Sequence, residues 1–157
     1  MGYELDRARL EDIPELIELR MAYLRADFGI LDNVTMGTVR DSLPSFFERH
    51  LNQDLFAYVM RDDAGSIVSL AIMLVSEKPA NPRFVHGRIG TVFNVYTRPE
   101  HRRQGLAKRV MTELVDDARS RDLDLVELNA TNDGYPLYRS IGFTDSSLHR
   151  PMHIRLT

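Results

Sequence analysis

Apolar positions along this chain alternate between helical and strand-like spacing. Ile13, Leu16, Ile17, Met21 and Leu24 recur every three to four residues, which predicts a helix to about Arg25. Asp12 and Glu15 read as a capping-box pair at its start, with Pro14 in the first turn, where a missing N–H costs nothing. Before it, Tyr3 to Ala8 alternates loosely and reads as a first strand. Residues 35–52, ending in FFERHLNQ, give a second helix whose start is obscured by Pro44. LFAYVMR (55–61), the turn DDAG (62–65) and SIVSLAIMLVS (66–76) predict a β-hairpin.

Two prolines and a glycine make EKPANPRFVHGR (77–88) a loop. TVFNVYT (91–97) follows as a strand rich in β-branched and aromatic residues, and strict alternation puts Asn94 on one face with Val92 and Tyr96. From Gly105 to Arg121 the stripe Leu106, Val110, Leu114 and Ala118, widened by Met111 and Val115, predicts a helix. Arg109–Glu113 and Asp117–Arg121 would be ion pairs on its exposed side. LDLVELNA (123–130) is a further strand, and DGYPLYRSI (133–141) a short helix or turn stopped by Gly142. HRPMHIRLT (149–157) reads as a terminal strand. The expected fold class is α/β: a mixed, mostly antiparallel central sheet with helices on both faces, in one domain spanning 1–157.

Composition narrows the chemistry. A chain of 157 residues can bury a real core, and its net charge of −3 argues against a general nucleic-acid binder. With no cysteine, disulfides, thiolate metal sites and a cysteine nucleophile are excluded. MGYELDRARLEDIP lacks the basic and apolar stretches of a signal peptide, and no apolar run approaches the roughly 18 residues of a membrane span. The expectation is a cytoplasmic protein without a membrane partner.

PEHRRQGLA (99–107) contradicts local preference. It sets His101, Arg102 and Arg103 before Gly105, where a helix begins and its dipole disfavours cations. An anion bound there resolves the conflict: free backbone N–H groups point at it, Gly105 lets it approach, and the arginines add donors suited to phosphate. Taken alone, the stretch fits a solvated basic turn equally well. It is not a P-loop, and it lacks the three glycines of a dinucleotide-binding turn.

VYTRPEHRRQGLAKRVM resembles the acyl-CoA-binding segment of the GNAT superfamily of N-acetyltransferases. Arg102, Gly105 and Ala107 fill its Arg/Gln-x-x-Gly-x-Gly/Ala signature. NVYTRPEH resembles the family's strand leading into Pro-Glu, and NATNDGYPLYRSIGF its later segment ending in Leu-Tyr-x-x-x-Gly-Phe. RARLEDIPELIELR resembles its first strand and helix, so the likeness covers most of residues 3–144.

The resemblance implies a GNAT-like acyl-CoA N-acyltransferase fold and acetyl-CoA as acyl donor, with no metal. Backbone amides over Arg102, Arg103, Gln104, Gly105, Leu106, Ala107 and Lys108 would hold the pyrophosphate. Val95, Tyr96 and Thr97 would pair with the pantetheine arm and polarise the thioester carbonyl, and Asn129 and Asn132 would contact the cofactor. Tyr138 matches the tyrosine that protonates the departing thiolate, although a tyrosine packed under the sheet fits the same position. Asn94 cannot be a base at neutral pH, but it could orient a water or the acceptor. Glu127, Glu77 and His86 are weaker candidates for the base.

The expected reaction is transfer of acetyl from acetyl-CoA to a primary amine by direct attack in a ternary complex. The acceptor pocket would be built by the first two helices, the 77–88 loop and the region near Tyr138. A small molecule is preferred to a protein or peptide amine because no broad docking element is visible. Members of the family are often homodimers, but nothing in the sequence marks a dimer surface. One rival is a catalytically silent acyl-CoA sensor, favoured by the missing base and opposed by Tyr138. Another is a nucleic-acid binder using Arg98, Arg102, Arg103, Lys108 and Arg109, opposed by Glu113, Asp116 and Asp117 directly downstream. His149 and His153 share a face of the terminal strand but lack a third metal ligand.

Overall fold

A computed structural model describes residues 2–29, 32–146 and 150–157. The strands are β1 (Glu4–Arg7), β2 (Leu55–Arg61), β3 (Ile67–Glu77), β4 (Arg88–Thr97) and β5 (Leu125–Glu127). The helices are α1 (Ile13–Phe28), α2 (Asn33–His50), α3 (Leu106–Ser120) and α4 (Tyr135–Ile141). The strands form one sheet in the order β1-β2-β3-β4-β5, antiparallel throughout except for the parallel β4–β5 pair, which α3 connects. Residues 150–157 carry no strand, and His149 lies outside the described residues, so the expected terminal strand is not found.

Each face of the sheet buries its own apolar layer. On one, Leu16, Leu19 and Met21 of α1 and Leu43 and Phe47 of α2 pack against Leu55, Val59, Leu70 and Ile72. On the other, Leu106, Val110, Met111 and Leu114 of α3 pack against Tyr58, Met60, Met73 and Val92. The amphipathic stripes read from the sequence are therefore the buried ones. α2 begins earlier than expected, because the Asp32 carboxylate accepts the Thr35 N–H at 2.8 Å and caps it. Pro44 lies within it rather than at its start.

Several charged groups are used differently from the pattern's suggestion. Asp12 and Glu15 form no capping box. The Asp12 carboxylate receives two N–H groups of Arg61, at 3.0 and 2.8 Å, and the Arg9 N–H. Glu15 instead accepts the Ile67 N–H at 2.9 Å and so ties α1 to β3. Arg61 also reaches Asp6 at 2.8 Å, making a buried ion cluster where β1, β2 and α1 meet. On α3, Glu113 pairs with Arg7 of β1 rather than with Arg109. Asp117 does pair with Arg121 but sits against the sheet, where it accepts the Tyr58 hydroxyl.

The strand that departs from regularity is β4. Ile72 pairs with Phe93 but Leu70 with Tyr96, so two steps on β3 are matched by three on β4. The extra residue is Asn94, at φ 68, a left-handed conformation that asparagine tolerates better than most. The bulge breaks the expected alternation. Val92 and Val95 face α3, while Phe93 and Tyr96 face α1, so Val92 and Tyr96 lie on opposite faces.

Candidate active site

Pairing between β4 and β5 is short. It covers Ile89–Leu125, Gly90–Val126 and Thr91–Glu127, and stops there. Beyond Thr91 the bulged strand bends, while the chain after Glu127 leaves regular structure. Between them opens a cleft of ≈ 650 Å³, walled by residues 91–95 and 127–131, by Arg20, Tyr23 and Asp27 of α1, and by Tyr138 of α4. Asn94, Val95, Asn129, Glu127 and Tyr138 thus line one cleft. Asn132 lies just past this wall on an exposed turn.

At the end of β4 the chain makes a single 3-10 turn over Pro99–His101 and enters α3 through Arg103 at φ 62 and Gly105 at φ 75. The two left-handed residues turn successive amides toward one side. None of the backbone N–H groups from Arg103 through Lys108 donates to another described group, and they meet the positive end of the α3 dipole. Leu106 is buried and anchors the helix start, leaving its amide to the cradle. Arg102 braces the approach: its Nε donates to the Thr97 carbonyl at 2.8 Å, and its guanidinium lies 5.4 Å from the Tyr96 ring centre. The Thr97 hydroxyl shares a hydrogen bond with Ser69 at 2.8 Å. Arg103, Gln104 and Lys108 are exposed beside the cradle. His101 is drawn away from it, its Nδ1 at 2.9 Å from the Tyr3 hydroxyl.

Tyr138 projects from α4 into the cleft wall, with its ring edge-on to Phe143. Burial, with Tyr23 nearby, pushes its pKa up to about 12, and its hydroxyl has no hydrogen-bond partner among the described residues. Gly134 permits this placement, since a Cβ there would stand 2.9 Å from the Tyr138 ring. Of the weaker base candidates, only Glu127 lines the cleft; its carboxylate accepts the Thr91 hydroxyl at 3.3 Å. His86 is held by Asp124 at 2.8 Å, and neither it nor Glu77 lines the cleft.

Beneath α1 and α2 a smaller cavity of ≈ 290 Å³ shares Arg20, Phe93 and Asn94 with the cleft. The first two helices do build this pocket, but the 77–88 loop takes no part in it. Arg20 is the residue that pattern reading missed. It falls between Leu16 and Leu24 at i+4 spacing, a charged side chain on an apolar stripe, and that was the available signal.

A sheet opened between a bulged strand and its parallel neighbour, with an amide cradle at the following helix, is the architecture of an acyl-CoA-dependent transferase. The chain belongs to the acetyltransferase (GNAT) family, whose model matches residues 14–143. It is accordingly an acyltransferase. A predicted acetyltransferase with acetyl-CoA from Clostridium acetobutylicum is similar in structure, with TM-score 0.84 and 26% identity over 97% of this chain and 96% of that one. A GCN5-related N-acetyltransferase from Ralstonia eutropha is similar with TM-score 0.81 and 24% identity, over 96% of this chain and 99% of that one. A ribosomal-protein-alanine N-acetyltransferase from Brucella melitensis shares the fold at TM-score 0.68 and 24% identity, over 99% and 100%. Among curated proteins none matches the sequence. No helix among the described residues is long and apolar enough to cross a membrane.

Proposed function

We propose that the chain transfers the acetyl group of acetyl-CoA to the primary amine of a small molecule, by direct attack while both substrates are bound. The observation that carries this reading is the continuity of the amide cradle with the β4–β5 cleft and Tyr138. The amides of residues 103–108 would receive the pyrophosphate, as anions are received at helix N-termini. The open edge of Val95, Tyr96 and Thr97 would pair with the pantetheine arm, and a backbone N–H there would stabilise charge developing on the thioester oxygen. The similar Clostridium structure, which holds acetyl-CoA, supports acetyl-CoA as the donor.

In the transfer, the C–N bond forms as the amine attacks the carbonyl carbon, and the C–S bond then breaks. Tyr138, protonated at neutral pH, gives its phenolic proton to the departing thiolate and regains one from water in the open cleft before the next turnover. The proton lost by the amine leaves through the open cleft. A small acceptor fits a cavity of ≈ 290 Å³ under α1 and α2 better than a folded protein would. The test is release of CoA from acetyl-CoA across an amine panel, with Tyr138→Phe alongside. Turnover that falls in the variant supports the reading. Tight acetyl-CoA binding without turnover on any amine would mean a sensor, and no binding at all would refute the site.

A further inference from the structure

The cavity shared with the cleft contains an unanswered charge. Asn94 is 1% exposed; its Oδ1 accepts from Arg20 Nη1 at 3.2 Å, and its Nδ2 is without a partner. Because Arg20 can only donate, Oδ1 must face it, which leaves Nδ2 a buried donor without a partner. Arg20 is itself half-buried, 5.9 Å from the Tyr23 ring centre, with no carboxylate within 4.0 Å among the described residues. Arg61, Arg98 and Arg121, also partly or fully withdrawn from solvent, each hold a carboxylate. Burial lowers the Arg20 pKa, as expected for a cation without a counter-charge.

No Asp or Glu lines the smaller cavity, whereas Arg49 and Ser42 do. The rest of its wall is apolar, chiefly Leu43, Phe47, Leu55 and Phe93. Asp27 and Glu127 stand on the cleft side, toward Tyr138. Arg20 and Asn94, which line both spaces, thus set a cation and donors at the junction, beside the carboxylates of the cleft. That arrangement suits a molecule whose amine and negative group lie close together, with an apolar group reaching into the smaller cavity.

Resting on the reading of the cleft as the acetyl-transfer site, the geometry points to an acceptor of amino-acid type. It is a primary amine bearing a carboxylate received by Arg20 and Asn94 Nδ2, with an apolar or aromatic group against Phe47 and Phe93. A carboxylate is chosen over a phosphate because one guanidinium and one amide N–H match its two oxygens and single charge.

The experiment separates binding from turnover. Binding of 3-phenylpropanoate, 3-phenylpropanamide and 2-phenylethylphosphonate to the acetyl-CoA-loaded protein is followed by calorimetry, and acetylation of phenylalanine is compared with that of phenylalaninamide. The acid should bind at least 10-fold more tightly than the amide, and phenylalanine should be the better acceptor by kcat/KM. Arg20→Gln should abolish both preferences, raising the acceptor KM by about 10- to 100-fold. Arg20→Lys should restore part of the preference, and Arg49→Gln, on the exposed side of α2, should weaken it without touching the fold. An acid that binds no better than its amide, or a phosphonate that binds better than the acid, overturns the assignment. Loss of acetyl-CoA binding by the wild-type chain would instead strike the transfer site itself.

Discussion

Gly105 offers the sharpest test of the amide cradle, because its two roles separate energetically. At φ 75 it sits in the left-handed region, so an alanine there costs the fold about 1–2 kcal/mol. A Cβ built on it meets no atom within 4 Å, so no clash adds to that cost. For a chain of this size the expected fall in Tm is about 2–4 °C per kcal/mol. The ligand is affected differently. A methyl group on the open side of the cradle holds an anion off the neighbouring amides. Each charge-assisted hydrogen bond lost is worth about 1.5–3 kcal/mol, or roughly 10- to 100-fold in affinity. Gly65, in the β2–β3 turn, is the matched control, with φ 85 and open space around it. Calorimetric titration with acetyl-CoA should show Gly105→Ala losing at least 10-fold in affinity and Gly65→Ala none, with similar falls in Tm. Gly105→Val should bind more weakly still. Wild-type affinity in Gly105→Ala, or equal loss in both variants, refutes the placement of the pyrophosphate.

Tyr138→Phe should lower kcat by about 10²- to 10⁴-fold with the acetyl-CoA KM and Tm nearly unchanged, since the hydroxyl bonds to no described group; steady-state kinetics beside a melting curve check it. With that pKa pushed up to about 12, kcat in the wild type should show no alkaline fall owing to Tyr138 below about pH 10. Gly134→Ala, whose Cβ would meet the Tyr138 ring at 2.9 Å, should reduce kcat by displacing that ring while leaving acetyl-CoA affinity intact. Asp12→Asn should destabilise the fold by about 3–5 kcal/mol, because Arg61, 9% exposed, loses most of its compensation. Burial acts to raise the Asp12 pKa, but the hydrogen bonds and charge of Arg61 outweigh it and leave the carboxyl below its usual range. A pKa lowered on folding stabilises fully above the unfolded value, about 3.9, and that stability disappears as pH falls through the folded value. Melting between pH 7 and pH 2 should therefore show a steeper acid loss in the wild type than in Asp12→Asn.

Periodicity made most of the architecture legible, because burial on both faces of a sheet leaves its mark directly on side-chain choice. The Leu106–Ala118 stripe and the two strands of the hairpin are read from pattern alone and recur with ends shifted by at most one residue. Charged partners were less legible. Asp12 has the local signature of a cap, yet Arg61, 49 residues away, competes for the same carboxylate and wins because both are buried. Glu113 likewise chooses Arg7 across the sheet over Arg109 on its own helix. The turn before α3 stood out in the sequence because cations at a helix N-terminus violate a local rule, although alone it fits a solvated basic turn equally well. The described terminal residues 150–157 illustrate the opposite case: their alternation was real but found no neighbour to pair with.

Asn94 joins the remaining gaps in that reading. Strict alternation would put Tyr96 on the α3 face with Val92, and its ring would leave the layer under α1. The extra residue returns Tyr96 to the face of Phe93, where it packs under α1 and receives the Arg102 guanidinium. The same bulge bends β4 where its pairing with β5 has just ended, which leaves the strand edge free for a ligand. It also turns the Asn94 amide inward to Arg20, where the cleft and the smaller cavity meet. One left-handed residue therefore sets the Tyr96 ring against Arg102, the open strand edge, and the polar group between the cleft and the smaller cavity. Removing Asn94 would restore regular pleating, and the strand would lose the site rather than gain stability.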